Sequence, residues 1–229
     1  MIRRWDRWGP LSGLLLCVTW APMAVAIPRL PDLDSSHEVQ AFWRTNQQLM
    51  QVVILSVSVG FLFFLMFLGA LIELIRTVPD AGAASWTVLG SALMFMTALN
   101  IALGLDVAGG LLVDTDSVST YGLHTAAFLL AAPAAFAGAA FFVAIAVVTW
   151  EAKVFPRWSG WIAVVGAGVN AGAVFGIFTL SGPLNSGNGI VGGIAGPLGL
   201  YLVWVFAISV WWMRGTFRAP LPSVPAGRA

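Results

Sequence analysis

The stretch from Trp158 to Met213 contains no Asp, Glu, Lys or Arg. Of the 229 residues, 9% are charged and 59% are hydrophobic, whereas about 25% of the residues in a soluble domain are charged. A water-soluble fold of this composition would expose large apolar patches, so most of its surface must face lipid. The sequence therefore predicts an all-α, polytopic integral membrane protein.

Six segments are long enough to cross a bilayer, which takes roughly 20 apolar residues in a helix. The turn residues SGPLNSGN at 181–188 divide the long uncharged stretch into two spans. The predicted transmembrane helices cover about 10–28, 48–76, 83–108, 121–150, 158–180 and 189–214. The chain is thus expected to form one six-helix transmembrane domain over residues 1–229.

Lys and Arg are distributed unevenly between the two sides of these spans. One side holds only Arg29 and Arg44, and the other side holds the remaining nine. The nine are Arg3, Arg4, Arg7, Arg76, Lys153, Arg157, Arg214, Arg218 and Arg228. Because short cytoplasmic segments are enriched in basic residues, we expect both termini in the cytoplasm, with a flexible tail at 215–229.

The N-terminal region has two interpretations. Residues 1–26 have the basic start, the apolar middle and the Ala24-Val-Ala26 ending of a cleaved signal peptide. The length of the apolar stretch favours a retained helix, in which Trp20 and Pro22 lie in the second half. Either outcome gives the same orientation for the remaining five spans.

Residues 166–171 match the glycine fingerprint G-x-G-x-x-G/A of dinucleotide-binding proteins, and residues 187–192 match it again. That fingerprint needs a preceding strand and an acidic residue about 20 positions later. Here the glycines lie in an uncharged apolar span, and no Asp or Glu follows Glu151. The sequence therefore excludes a dinucleotide site at these glycines.

The same glycines fit a helix-packing role better. Gly168, Gly172 and Gly176 recur every four positions, and Gly192 and Gly196 repeat the spacing in the last span. Small residues four apart allow two membrane helices to approach closely. Asn170 lies about 200° around the helix from Gly168 and should also face protein. We therefore expect residues 158–180 to form a central helix.

Asp106 and His124 are the sharpest candidates for function, because polar groups within membrane spans mark functional sites. If the third span ends near Asp106, the carboxylate is hydrated at the bilayer boundary. If the helix continues through residues 107–113, the carboxylate is buried and needs a partner. His124 lies at a similar depth and could pair with it, either to relay protons or simply as an interhelical hydrogen bond.

The outer loops contain acidic residues and one histidine whose side chains could bind a divalent cation. These weak metal candidates are Asp32, Asp34, His37, Asp114 and Asp116. Their spacing matches no metal motif, and solvation of the surface explains them more simply.

Residues 29–47 form the longest of the outer loops. Val39, Phe42 and Trp43 are spaced as in a short amphipathic helix that lies on the membrane or packs onto the bundle. Cys17 is the only cysteine, so an intrachain disulfide is excluded.

Three segments of the sequence carry a resemblance to a known group of proteins. The segments EVQAFWRTNQ, YGLHTAAFLLAAPAAF and VFPRWSGWIAVVGAG occur in the sequence in that order. The chain resembles a group of uncharacterised multi-pass membrane proteins of high-GC bacteria that are classed as a membrane domain of unknown function. The resemblance covers most of the chain, with PRWSGW at 156–161 as its most specific part. It implies a six-helix fold in the bacterial inner membrane and brings no activity, cofactor or catalytic residue.

Three functions remain open. The first is a non-enzymatic bundle that binds a partner protein, a second copy of itself or membrane lipid, because glycine packing surfaces abound and reactive groups are few. The second is a transporter of a small solute or protons, whose path would be lined by Asp106, His124, Asn100 and Asn170. The third is an intramembrane enzyme that modifies a lipid. No cofactor is predicted, and a net charge of +1 argues against nucleic-acid binding.

Overall fold

The computed structural model describes residues 5–78, 81–190 and 192–216, with helix as the regular secondary structure of these ranges. The α-helices are α1 (Trp5–Trp20), α2 (Met23–Ala26), α3 (Ser36–Ile75), α4 (Gly82–Leu111), α5 (Ser117–Trp150), α6 (Arg157–Ala173) and α7 (Ala195–Thr216). Short 3-10 turns extend α2 over Ile27–Arg29 and α6 over Val174–Phe178. The expected tail at 215–229 lies outside the described residues, apart from its first two, which belong to α7.

Six helical segments of the described chain are long and apolar enough to cross a membrane, which confirms the predicted fold class. The first segment, Trp8–Arg29, combines α1 and α2 with the 3-10 turn, and the fifth, Arg157–Phe178, combines α6 with its own. The other four are α3, α4, α5 and α7. The chain is therefore a six-helix transmembrane bundle.

Local sequence explains where several helices begin. The Ser35 hydroxyl accepts a hydrogen bond from the Glu38 backbone N–H at 3.2 Å and caps α3. The Asp116 carboxylate accepts one from the Ser119 N–H at 3.0 Å and caps α5. Pro156 precedes α6 in an extended conformation, which a helix interior would not tolerate.

Two terms describe the ends of the bundle. The acidic end is the one with the α4–α5 turn, where Asp114 and Asp116 lie, and residues 181–190 and 192–194, which precede α7, also lie there. The basic end is the one with the α5–α6 turn, which carries Lys153 and Arg157. The helices alternate in direction between the two ends.

The helices pack in two groups. Helix α1 packs against α3 and α7, while α5 packs against α4 and α6. The groups meet through buried aromatic rings, including Phe141 of α5, which lies 5.0 Å from Tyr201 and 5.5 Å from Trp204 of α7 between ring centroids. Helix α1 belongs to this core, since Leu16 and Trp20 are buried and the Trp20 indole donates to the Val57 carbonyl at 3.2 Å.

The first outer loop contains a short helix, which forms the beginning of α3. It covers residues 36–45, and a kink at Asn46 separates it from the rest of α3. Asn46 has a non-helical backbone, φ −112° and ψ 15°, and its amide donates to the Phe42 carbonyl at 3.0 Å. This side-chain bond competes with the backbone ladder and accounts for a kink there. Val39, Phe42 and Trp43 are buried in the protein, which is the packing alternative.

The last span is shorter than the sequence predicts, because α7 begins at Ala195 instead of near 189. The fifth span reaches Phe178, close to the predicted end near 180, with a 3-10 turn after Ala173. Between these two spans, residues 181–190 and 192–194 form turns that pack against the chain near Leu30 and Leu33. Gly182 has a φ of +79°, a backbone conformation that glycine adopts readily.

Candidate functional site

Asp106 and His124 meet inside the bundle at the acidic end. Helix α4 continues past Asp106 to Leu111, so the carboxylate is buried, with 6% exposure. The Nδ1 atom of His124 lies 2.5 Å from Oδ1 of Asp106, and the histidine is fully buried. Of the two alternatives that the sequence left open, the structure has the buried, paired one.

Close backbone packing between α4 and α5 brings the pair together. The Thr120 hydroxyl donates to the Gly109 carbonyl at 3.0 Å across the two helices. A Cβ atom on Gly109 would lie 3.0 Å from the Thr120 carbonyl oxygen. The two helices could not approach this closely with a larger residue at position 109.

Aromatic side chains enclose the imidazole of His124. The Phe128 ring lies 4.9 Å away between centroids, and the Trp43 ring lies 6.4 Å away in an edge-on arrangement. Trp43 fits directly over Gly110, where a Cβ atom would overlap the indole. Sequence reasoning missed Trp43 as a site residue, because it left open whether the helix of Trp43 lies on the membrane or packs onto the bundle. Its apolar spacing with Val39 and Phe42 was the available signal.

A single proton between Nδ1 and Oδ1 satisfies both atoms of the pair. The Trp43 indole nitrogen is 3.4 Å from the same Nδ1, a distance at the limit of hydrogen bonding. The other ring nitrogen, Nε2, is buried and has no hydrogen-bond partner among the described residues. The two side chains are therefore bonded closely to each other and only weakly to the residues around them.

An apolar cavity of about 90 Å³ lies between α2, α3, α4, α5 and the start of α7. Its wall consists mainly of aliphatic and aromatic side chains, and Asp106 is the charged residue among the described residues that line it. Several lining side chains, such as Met23, Ile27 and Leu103, are only half-buried, so the cavity is not sealed from the bundle surface. The site thus combines an apolar cavity with one carboxylate.

The four polar residues expected to line a transport path do not come together. Asn100 lies on the exposed surface of α4. Asn170 is fully buried, but its carboxamide packs against Gly138. Gly138 is 14 residues after His124 on α5, or about 21 Å along the helix. Asn100 and Asn170 therefore lie apart from the Asp106–His124 pair.

Asn170 has the protein-facing position predicted for it, but the glycine stripe differs from the prediction. A Cβ atom on Gly168 would meet open space, whereas one on Gly166 would lie 2.7 Å from the Phe142 ring. The buried face of α6 consists of Ser159, Gly160, Ala163, Gly166, Asn170 and Ala173. The face is rotated from the predicted one because Asn170, the polar residue, must be buried.

Some of the other glycines that were predicted to pack helices together lie in close contact with neighbouring segments. A Cβ atom on Gly196 would lie 3.0 Å from Val169 Cγ1, which places α7 against α6. Gly176 and Gly192 approach each other and the Leu184 carbonyl, but both lie outside the α-helices. They allow the backbone around Leu184 to pack closely against them and are not a strip on α7. Gly172 is half-buried on α6.

The acidic candidates for a metal site have structural contacts. Asp114 pairs with Arg44 at 3.2 Å on the exposed surface. The side-chain hydrogen bond from Ser119 lowers the pKa of Asp116, which caps α5. Asp32 lies 3.5 Å from the Asn185 amide. The described residues bring together no group of three or more His, Cys, Asp or Glu side chains, a finding that covers Asp34 and His37.

Comparison with known proteins gives no relative for this site. No family model, no curated protein and no solved structure matches the chain.

Proposed function

We propose that this protein is a membrane-embedded helical bundle that binds a lipid-like molecule in the cavity beside Asp106. The observation that carries the proposal is the apolar cavity itself, which opens between half-buried side chains of the bundle surface. Apolar clefts with a few placed polar groups are the usual form of small-molecule sites. In a bilayer the available apolar molecules are lipids and compounds dissolved among them.

The transport and enzymatic alternatives have less support. Transport would need polar groups in sequence across the membrane, and Asn100 and Asn170 are both separated from the Asp106–His124 pair. Lipid modification would need a nucleophile or a metal next to the pair, and the residues around His124 are aromatic. Binding needs only the cavity and its carboxylate.

The proposal extends to location. The resemblance stated above favours the inner membrane of a bacterium. The distribution of Lys and Arg favours the basic end of the bundle in the cytoplasm and the acidic end outside. The cavity would then open toward the outer leaflet. Exposed apolar side chains on α3, such as Leu55 and Leu62, face lipid or a partner protein.

Photolabelling in nanodiscs tests the binding proposal. A long alkane that bears a diazirine and no polar head should label cavity residues of α3 and α4, which peptide mass spectrometry would locate. Ala131 lines the cavity, so Ala131→Phe should fill it and remove most of that labelling. Ala126 is exposed on the same helix, and Ala126→Phe is the matched control. Labelling confined to lipid-exposed side chains in all three proteins would contradict the proposal.

A further inference from the structure

The two carboxylate oxygens of Asp106 have different surroundings. Oδ1 lies 2.5 Å from Nδ1 of His124. Oδ2 makes no hydrogen bond with the described residues, and Asp106 lines the apolar cavity. The oxygen that a molecule in the cavity can reach is therefore Oδ2.

The position of a proton shared between Nδ1 and Oδ1 does not change what Oδ2 offers. At 2.5 Å these two atoms are within hydrogen-bond distance, so one proton lies between them and is held by one or the other. If His124 holds this proton, Asp106 is a carboxylate and Oδ2 has only lone pairs. If Oδ1 holds it, Oδ2 is a carbonyl oxygen and again has only lone pairs. In both cases Oδ2 is an acceptor without a donor.

We infer that the molecule bound in the cavity has an apolar body and a hydrogen-bond donor, such as a hydroxyl or an amine, that contacts Oδ2 of Asp106. This inference rests on the proposed function. An ether, ester or ketone would direct its own lone pairs at those of Oδ2, and leaving a buried acceptor unbonded is unfavourable. The chemistry of the pair therefore selects donors over acceptors.

The size of the cavity limits how much of such a molecule it can enclose. A cavity of 150 Å³ holds benzene, and this one is about 90 Å³. It can take the donor and the first carbons of a chain. The rest of the ligand's alkyl chain must pass between the half-buried side chains of Met23, Ile27 and Leu103 and extend into the bilayer. An amphiphile with a single slender chain fits this description.

The test compares 1-dodecanol with its methyl ether as competitors of the diazirine probe, in nanodiscs of phosphatidylcholine, whose headgroup has no donor. We expect the alcohol to compete at a mole fraction at least about tenfold lower than the ether. In the Asp106→Leu variant, the alcohol should compete with the probe only as weakly as the ether does. The ether should compete as well as it does in the unaltered protein. Unchanged competition by the ether also shows that the variant retains the cavity.

Each result decides one of the two proposals. If the probe labels the cavity and the two competitors act equally on the unaltered protein, the donor inference is wrong and the binding proposal stands. If the probe does not label the cavity, the binding proposal itself fails. Should Asp106→Leu not fold, 2-tetradecanone on the unaltered protein replaces it, since an acceptor-only ketone should compete as weakly as the ether.

A final arm distinguishes the two sources of a donor. Nanodiscs of phosphatidylglycerol supply hydroxyl groups in the lipid headgroup itself. A loss of alcohol competition and of cavity labelling in these discs would assign the site to a lipid headgroup. Unchanged competition would assign it to a free amphiphile.

Discussion

Asp106 and His124 stabilise each other in a place where neither would be stable alone. Both are buried among apolar side chains, and the 2.5 Å contact joins them across α4 and α5. Removing one member of such a pair leaves the other desolvated and unpaired, whereas replacing both by apolar residues is often neutral. The pair therefore holds α4 to α5 and at the same time presents an acceptor to the cavity.

A double-mutant cycle measures this coupling. We expect His124→Leu to lower the free energy of unfolding by about 3 kcal/mol, because Asp106 is left without its partner. The double variant Asp106→Leu, His124→Leu should recover most of that loss. Unfolding by denaturant in detergent gives the values, and Asn100→Leu, on the exposed face of α4, is the control. A His124→Leu protein as stable as the unaltered one would refute the coupling.

At the scale of elements, α5 and α6 fit together through a glycine and an amide. The Asn170 carboxamide occupies the space that a side chain on Gly138 would fill, and its amide donates to the Gly166 carbonyl at 2.9 Å. Its carbonyl oxygen, Oδ1, has no partner among the described residues. Membrane helices use such small residues to approach closely. Close packing is needed because the hydrophobic effect does not drive helices together inside a lipid bilayer.

A methyl group at position 138 should therefore separate the two helices. We expect Gly138→Ala to reduce stability by about 1–3 kcal/mol, because the new Cβ overlaps the Asn170 side chain. Asn170→Ala in the same protein makes room and should restore much of the loss. Gly122 lies on the same helix with open space around it, so Gly122→Ala should not reduce stability. Additive effects of Gly138→Ala and Asn170→Ala would exclude this steric account.

At the scale of the whole molecule, the two ends of the bundle differ in charge. The α4–α5 turn carries Asp114 and Asp116, and the α5–α6 turn carries Lys153 and Arg157. The described helices alternate in direction, so each turn lies at one defined end. Because positive charge is retained on the cytoplasmic side during insertion, this asymmetry predicts the orientation of the whole bundle.

Cysteine labelling in intact cells checks that orientation. In a Cys17→Ala background, Thr115→Cys marks the acidic end and Glu151→Cys the basic end, both at exposed positions. We expect a membrane-impermeant maleimide to label Thr115→Cys in intact cells and Glu151→Cys only after lysis. The reverse pattern would mean that the positive-inside rule does not hold for this chain.

The ends of the transmembrane spans could be predicted within a few residues where an apolar segment meets charged residues, as at the end of α5 near Trp150 and the start of α6 at Arg157. The spacing of Val39, Phe42 and Trp43 predicted the helix at the start of α3. Whether this helix lies on the membrane or packs onto the bundle stayed open, and in the structure the three side chains are buried in the bundle. The pairing of Asp106 with His124 also stayed open. It depends on α4 continuing through Gly109 and Gly110, which have low helix propensity.

The sequence by itself determined that this chain is helical and membrane-embedded, because transfer of apolar residues into lipid acts on each segment separately and adds along it. The tertiary structure decided which polar side chains meet. Asp106 faces His124, Asn170 faces Gly138 and Asn100 faces outward. Those contacts depend on how each helix is rotated against its neighbours, and the close packing of residues distant in the chain sets that rotation.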